Sequence, residues 1–157
     1  VNGGSGAIGT NAIQLGKHFG ATVTAVCRSA NEALVRRLGA DHVVAHDHVD
    51  VTTIPERFDA VLDTVGNLGI AKGRGLLNDN GVLLLAVASL GDNLRARGNV
   101  KAGTLRERAD DFAFLLDLAA ARTLEVVIDA TYDLDHIVDA YRRVDSGRKV
   151  GNVVIHP

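Results

Sequence analysis

The sequence predicts an α/β fold in which a doubly wound parallel sheet carries helices on both faces. Two observations lead to this prediction. Short aliphatic runs bounded by Gly, Asp or Asn alternate with segments whose apolar residues recur at helical spacing, which is typical of strands joined by crossover helices. In addition, a glycine motif, Gly4-Ser5-Gly6-Ala7-Ile8-Gly9, lies directly before the first helical segment.

Six aliphatic runs are predicted as strands. Four of them are short, rich in Val, Leu or Ala, and suited to the buried interior of a parallel sheet. A fifth follows a long helical segment, and a sixth closes the chain. The predicted strands are Thr22–Val26, His42–Ala45, Ala60–Asp63, Val82–Ala88, Glu125–Ile128 and Gly151–Ile155.

The first predicted helix is the clearest, because its apolar residues recur every three or four positions from Ile8 to Phe19, and Gly20 follows as a stop signal. Asp133 is placed to cap the last helix. The polar, glycine-bearing stretch Ser89–Thr104 is predicted to be a long loop. The remaining helices are predicted over Ala33–Leu38, Gly69–Leu77, Leu105–Ala119 and Leu134–Val144.

Only Val1 and Asn2 precede the glycine-rich segment, whereas a strand in the middle of a sheet usually has about five or six residues. We therefore expect the first strand to be truncated and a part of the protein to precede this chain.

Composition limits the classes of function. The 157 residues include 17 Lys and Arg against 19 Asp and Glu, so no basic excess points to nucleic acid as a partner. The apolar run at Val82–Ala88 is far shorter than the roughly 20 residues that cross a bilayer, so no membrane anchor is expected. A single cysteine, Cys27, excludes an intramolecular disulfide, and the lack of a signal segment favours a cytoplasmic protein.

The glycine motif points to a dinucleotide. We expect Gly4 to allow a tight turn, Gly6 to let the backbone approach a pyrophosphate, and Gly9 to let helix and strand pack closely. The backbone N–H groups at the start of the helix would hold the phosphates. With this motif the fold prediction becomes a Rossmann fold, and the candidate binding residues are Gly4, Ser5, Gly6, Ala7, Ile8 and Gly9.

The residues at the end of the next predicted strand indicate which dinucleotide the site binds. An NAD site places Asp or Glu on the adenosine ribose about 20 residues after the motif, but this chain has Arg28 and Ser29 there. A guanidinium and a hydroxyl suit a 2′-phosphate, so NADP(H) is the predicted cofactor. Glu32 works against a phosphate, and Arg28 remains open to interpretation as a solvated surface arginine. His46 either approaches the adenosine end or is a loop histidine without a role.

The sequence resembles the zinc-independent, quinone-oxidoreductase-like branch of the medium-chain dehydrogenase/reductases. The matching segments are Val1–Lys17, Leu38–Val44, Asp59–Asn67 and Val127–Ile155. The resemblance implies a cofactor-binding domain at residues 1–130. It also implies that residues 131–157 form a segment that packs back on a preceding catalytic domain. The whole protein would be an NADPH-dependent oxidoreductase, and this chain alone would be inactive. Hydride would pass to a quinone, an enone or another carbonyl-type acceptor, or be taken from an alcohol.

The same resemblance assigns further positions. Thr64, Val65 and Gly66 would flank the ribose and pyrophosphate, and Ala86, Val87 and Ala88 would lie beside the nicotinamide. No catalytic or metal-binding residue is assigned in this chain. A homodimer is expected through an edge strand at Glu125–Ile128, besides a small-molecule substrate as the other partner.

Two other functions share a dinucleotide-binding glycine motif. A non-catalytic NADP(H)-binding sensor or scaffold would keep the same glycines and Arg28 and remains an alternative. A short-chain dehydrogenase is excluded because it needs a Tyr-x-x-x-Lys pair, and here Tyr132 is followed at four by His136 and Tyr141 by Asp145.

Overall fold

The structure, a computed structural model, describes residues 1–103 and 107–157. Its helices are α1 (Ala7–His18), α2 (Glu32–Arg37), α3 (Gly69–Arg74), α4 (Leu90–Arg95), α5 (Ala109–Ala120) and α6 (Ile137–Asp145). Its strands are β1 (Thr24–Cys27), β2 (His42–Ala45), β3 (Phe58–Asp63), β4 (Leu77–Leu85), β5 (Val100–Ala102), β6 (Ile128–Asp133) and β7 (Asn152–His156).

The main sheet is parallel throughout, and Asn2 joins its two halves. Asn2 bridges to Val26 of β1 on one side and to Asp63 of β3 on the other, so the strand order is β2-β1-Asn2-β3-β4-β5. The chain therefore leaves the centre of the sheet in both directions, which is the doubly wound topology. β6 and β7 form a separate parallel pair. The predicted Rossmann fold is confirmed.

The helix α1 ends where the sequence predicts, and the reason is local. Gly20 adopts φ +79°, which is favourable only for glycine. Its N–H donates to the Lys17 carbonyl over 3.0 Å, while the N–H of Ala21 donates to the Gly16 carbonyl over 2.9 Å. This pair of bonds is a Schellman motif, which satisfies the last carbonyls of the helix.

Two clusters of buried side chains lie on opposite faces of the sheet. Ala25 and Cys27 of β1 contribute to one cluster. Val26, between them, points to the other face, since side chains alternate along a strand. The first cluster also contains Ile13, Val23, Val35, Leu38, Ala40 and Val127. The second contains Ile54, Val61, Leu68, Leu76, Leu83, Leu85 and Val100.

The long loop predicted over Ser89–Thr104 is wrong in part, because its first 14 residues include α4 and β5. The Ser89 hydroxyl accepts from the N–H of Asp92 over 3.0 Å and so caps α4. Val100 is buried against β4. Such a short strand has too few apolar residues to be recognised in a polar sequence. The predicted helix start at Leu105, and Thr104, lie outside the described residues.

Two other strand predictions need correction. β4 ends at Leu85, so Ala86–Ala88 lie beyond it. The segment predicted as the Glu125–Ile128 strand is irregular up to Val127, and β6 begins only at Ile128. The cause is Gln14, whose amide oxygen accepts from the N–H of Glu125 over 2.7 Å and whose NH₂ donates to the Glu125 carbonyl over 3.0 Å. The backbone of Glu125 is thus tied to α1.

The residues on either side of the predicted boundary at 130 belong to one strand, β6. Asp133 caps the turn that leads into α6, as predicted, by accepting from the N–H of His136 over 3.0 Å. In the part of the chain that the structure describes, no helix combines the length and apolar character needed to cross a membrane.

We expect Leu83→Ala to lower the free energy of unfolding by about 3 kcal/mol, as is usual for a leucine truncated in a packed core. Leu83 is fully buried, and α3 approaches it so closely that a Cβ on Gly73 would lie 2.7 Å from its methyl carbons. Urea denaturation measures the change. Leu84→Ala is the control. Leu84 is 37% exposed, so its truncation should lower the free energy of unfolding by less than about 1 kcal/mol. Equal losses of stability in the two variants would contradict the placement of Leu83 in the core.

Candidate functional site

A cleft lies at the carboxyl ends of four neighbouring strands, at the point where the sheet winds in both directions. This is the place where open α/β sheets bind ligands. Six of the predicted site residues line it: Ser5, Gly6, Arg28, His46, Thr64 and Val65. The other lining residues are Asn2, Gly3, Cys27, Ala30, Asn31, Asn67, Gly147, Arg148 and Lys149.

The glycine-rich turn enters the cleft from the centre of the sheet, and its tight bend occurs one residue earlier than predicted. Gly3, not Gly4, has the positive φ of +81°. The N–H groups of Gly3 and Gly4 both donate to the Val26 carbonyl, over 3.1 and 2.8 Å. Gly4 is needed for packing, since a Cβ there would lie 3.0 Å from that of Ala25.

Gly9 has the close approach that its place in the motif predicts. A Cβ on Gly9 would lie 2.1 Å from the carbonyl oxygen of Gly3 and 2.7 Å from the Cα of Gly4. Both are backbone atoms that cannot turn aside. Glycine at this position therefore lets α1 begin directly behind the turn.

The start of α1 faces the cleft with the features of an anion site. The helix begins at Ala7 after Gly6, and its first turn contains no acidic residue. The first N–H groups of a helix have no partner within it, and the helix dipole places partial positive charge there. A phosphate group suits this position.

A buried carboxylate fixes the turn on the opposite side of the cleft. Asp63 is fully buried, and its two oxygens accept from the N–H groups of Val65, Gly66 and Leu68 over 3.0, 3.0 and 3.1 Å. The Asn2 amide donates to the same carboxylate over 2.9 Å and to the Asn67 side chain over 2.7 Å. The segment that carries Thr64 and Val65 is thus held rigid from within the sheet.

Thr64 is also tied to the centre of the sheet. Its hydroxyl donates to the Asn2 carbonyl over 2.8 Å, and its N–H donates to the same oxygen over 3.1 Å. Gly66 does not line the cleft; it lies against Val87, whose Cγ1 would be 2.7 Å from a Cβ on Gly66. The turn therefore presents Thr64 and Val65 to the cleft and packs Gly66 behind them.

Arg28 and Ser29 follow β1 at the adenosine end of the predicted site. Arg28 is exposed and lines the cleft. Its carbonyl accepts from the N–H of Asn31 over 2.9 Å, whereas its guanidinium has no hydrogen-bond or ion-pair partner among the described residues. The N–H and the hydroxyl of Ser29 both donate to the carboxylate of Asp47, which was not among the predicted site residues. The Glu32 carboxylate, predicted to oppose a phosphate, instead pairs with Arg36 over 2.9 Å.

Five polar residues of the cleft were not predicted from the sequence: Asn2 and Asn67, whose contacts are given above, and Asn31, Arg148 and Lys149. The Asn31 amide donates to the Ser5 hydroxyl over 3.1 Å and so links the glycine-rich turn to the segment after β1. Arg148 and Lys149 reach the cleft from the turn between α6 and β7. That turn is anchored where the N–H of Gly151 donates to the Ser5 carbonyl over 2.8 Å. In the sequence, Gly147-Arg148-Lys149 contributes only to the family resemblance.

The charged side chains that line the cleft are of one sign. Its lining includes three cations, Arg28, Arg148 and Lys149, and none of the described lining residues is Asp or Glu. This arrangement favours a ligand with several negative charges.

Several predicted site residues do not line the cleft. Ala86–Ala88 lie beyond the end of β4, where Val87 contacts Gly66 and Ala88 packs on the second core cluster. The motif residues outside the lining are Gly4, Ala7, Ile8 and Gly9.

The described residues do not form a metal site, since no three of their His, Cys, Asp or Glu side chains cluster suitably. Cys27 is buried. Burial raises the pKa of its thiol, and the carboxylates of Glu32 and Asp47 raise that pKa further. The thiolate that zinc requires is therefore disfavoured here.

Comparison with known proteins gives a family match over most of the chain. The model of the family described as zinc-binding dehydrogenase matches residues 38–155. A 2-methylene-furan-3-one reductase of Solanum lycopersicum is 31% identical over the whole chain, which covers 39% of that relative. A chloroplast envelope quinone oxidoreductase homolog of Arabidopsis thaliana is 25% identical over the whole chain, which covers 51% of it.

Solved structures show the same fold. The quinone oxidoreductase from Coxiella burnetii superposes with a TM-score of 0.87 at 24% identity, over 98% of this chain and 50% of that one. A cobalt- and zinc-bound thermostable alcohol dehydrogenase from Pyrobaculum aerophilum superposes with a TM-score of 0.80 at 25% identity, over 99% of this chain and 49% of that one. The chain thus spans about half the length of these proteins, or less.

We expect Asp63→Ala to lower the free energy of unfolding by about 3 kcal/mol, because the N–H groups of Val65, Gly66 and the buried Leu68 lose their acceptor. Thermal unfolding followed by circular dichroism measures the change. Asp59→Ala is the matched control on the same strand, since Asp59 is exposed and, among the described residues, its side chain accepts from the Asn78 amide alone. If the two variants unfold at the same temperature, the Asp63 network does not stabilise the turn.

Proposed function

Because this chain belongs to the zinc-binding dehydrogenase family, in its quinone-oxidoreductase-like part, we propose that it is the NADP(H)-binding portion of an oxidoreductase that needs no zinc for its reaction. The observation that carries the proposal is the cleft itself, which combines a helix N-terminus behind a glycine-rich turn with three cations and, in its described lining, no carboxylate. A dinucleotide phosphate has the charge and the length to occupy such a cleft.

Each part of the cleft has a task in this proposal. The turn at Ser5 and Gly6 and the first N–H groups of α1 bind the pyrophosphate. Arg28, whose guanidinium contacts no acidic side chain of residues 1–103 or 107–157, binds the 2′-phosphate, and bidentate contact with a planar guanidinium suits that group. The rigid turn at Thr64 and Val65 positions the ribose on the nicotinamide side, with Val87 behind it.

The bound cofactor supplies the hydride, and the acceptor in this proposal is a quinone, an enone or another carbonyl-type compound. The reductase and quinone-oxidoreductase names of the relatives support that class of acceptor. Their greater length supports placing most of the substrate pocket outside this chain, which is why we expect the chain alone to be inactive. No catalytic acid or base is assigned among the described residues.

We expect Arg28→Ala to weaken NADPH binding by about tenfold or more, which corresponds to one lost charge-assisted contact, and to leave NADH binding nearly unchanged. Fluorescence titration of both cofactors in one low-salt buffer measures the two dissociation constants. Arg74→Ala is the control, because Arg74 is an exposed arginine on α3 that does not line the cleft. Equal weakening of both cofactors would contradict the assignment of Arg28 to the 2′-phosphate.

We also propose a homodimer, with the contact moved from Glu125–Ile128 to β5. Among the described residues, no strand pairs with the outer side of β5, and an open strand edge favours pairing with a second chain. Sedimentation equilibrium is expected to give a dimer. A monomer at high protein concentration would contradict it.

A further inference from the structure

The Asp47 carboxylate holds both hydrogen-bond donors of Ser29. The N–H of Ser29 donates to one carboxylate oxygen over 2.9 Å, and its hydroxyl donates to the other over 2.6 Å. Asp47 follows β2 directly after His46, a residue that lines the cleft. The contact therefore joins the loops that follow two neighbouring strands at the adenosine end of the cleft.

This carboxylate is charged at neutral pH, and its charge is poorly compensated. The two hydrogen bonds from Ser29 lower the pKa of Asp47 to about 2. Within the described residues, its carboxylate pairs with no Lys or Arg side chain, and the His48 ring, 4.0 Å away, is charged only when it is protonated. The other carboxylate of this region, Glu32, pairs with Arg36. Asp47 is thus the acidic group that a phosphate at Arg28 and Ser29 would meet.

We propose that Asp47 is a specificity-determining residue that weakens binding of the 2′-phosphate and so limits the preference for NADPH over NADH. The inference rests on the proposed function. A 2′-phosphate has to displace the carboxylate from Ser29 or bind Arg28 without the help of Ser29. In both cases like charges approach each other at the edge of the cleft, where an effective dielectric constant well below that of water strengthens the repulsion.

A cofactor that carries a 2′-hydroxyl does not meet this repulsion. The hydroxyl is neutral, needs no donor from Ser29, and can itself donate to a carboxylate. Asp47 should therefore affect the two cofactors differently, whereas a purely structural link between the two loops would affect both alike.

The test is Asp47→Asn, which keeps the shape of the side chain and an oxygen acceptor but removes the charge. The probes are 2′,5′-ADP and 5′-AMP, which report only on the adenosine end, together with NADPH and NADH. We expect 2′,5′-ADP and NADPH to bind about tenfold more tightly to the variant, and 5′-AMP and NADH to stay within about twofold. Asp47→Ser, which also removes the charge, should give the same pattern.

The matched control is Asp50→Asn, which makes the same change in net charge three residues away. Asp50 accepts from Thr52 and has no contact with Ser29, so this variant should leave all four dissociation constants unchanged. An equal shift in Asp50→Asn would mean a general charge effect and would overturn the inference.

Two further outcomes separate the inference from the function on which it rests. If 2′,5′-ADP and 5′-AMP respond equally to Asp47→Asn, or neither responds, Asp47 does not set specificity, while binding of NADPH would leave the proposed function standing. If neither cofactor binds to the folded wild-type protein or to either variant, the proposed function fails and the inference fails with it.

Discussion

The cleft depends on the way one residue, Asn2, joins the two halves of the sheet. Its N–H donates to the Leu62 carbonyl over 2.8 Å, and its own carbonyl accepts from Thr64. Its side chain binds Asp63 and Asn67. Backbone and side chain together fix where the chain turns away from the sheet on both sides. The glycine-rich turn and the Thr64 turn face each other because both are anchored at this residue.

The charge pattern of the cleft comes from segments that are far apart in the sequence. Gly151 adopts φ +68°, and a Cβ there would lie 2.3 Å from the Val127 carbonyl oxygen, so β7 can pass this closely only with glycine. That approach brings Arg148 and Lys149 to the same cleft as Arg28. Asp47, which is outside the lining, is bound to Ser29, the residue that follows Arg28. In the proposals made above, the cations that attract a dinucleotide are thus different residues from Asp47, which distinguishes a 2′-phosphate from a 2′-hydroxyl.

The elements that the sequence predicted well are those whose cause is local. α1 and β2 match their predictions within a residue at each end, because periodic apolar residues, the Gly20 stop and short β-branched runs act within a few positions. The errors have long-range causes. The strand predicted over Glu125–Ile128 fails because Gln14, more than a hundred positions earlier, takes both of its backbone groups at Glu125. β5 forms because Val100 pairs with Leu83 of β4.

By itself, the sequence determined the α/β class, the family, the glycine-rich turn and the presence of Arg28 and Ser29, since these follow from local patterns of residue type. Only the tertiary structure decided that Gly3 makes the bend, that Glu32 is paired and that Asp47 binds Ser29. It also decided that Asn31, Arg148 and Lys149 belong to the cleft. The physical reason is that a hydrogen bond or an ion pair depends on distance in space. Crossover connections bring together strand ends that are far apart along the chain. Local patterns of residue type do not show which of these ends will be neighbours.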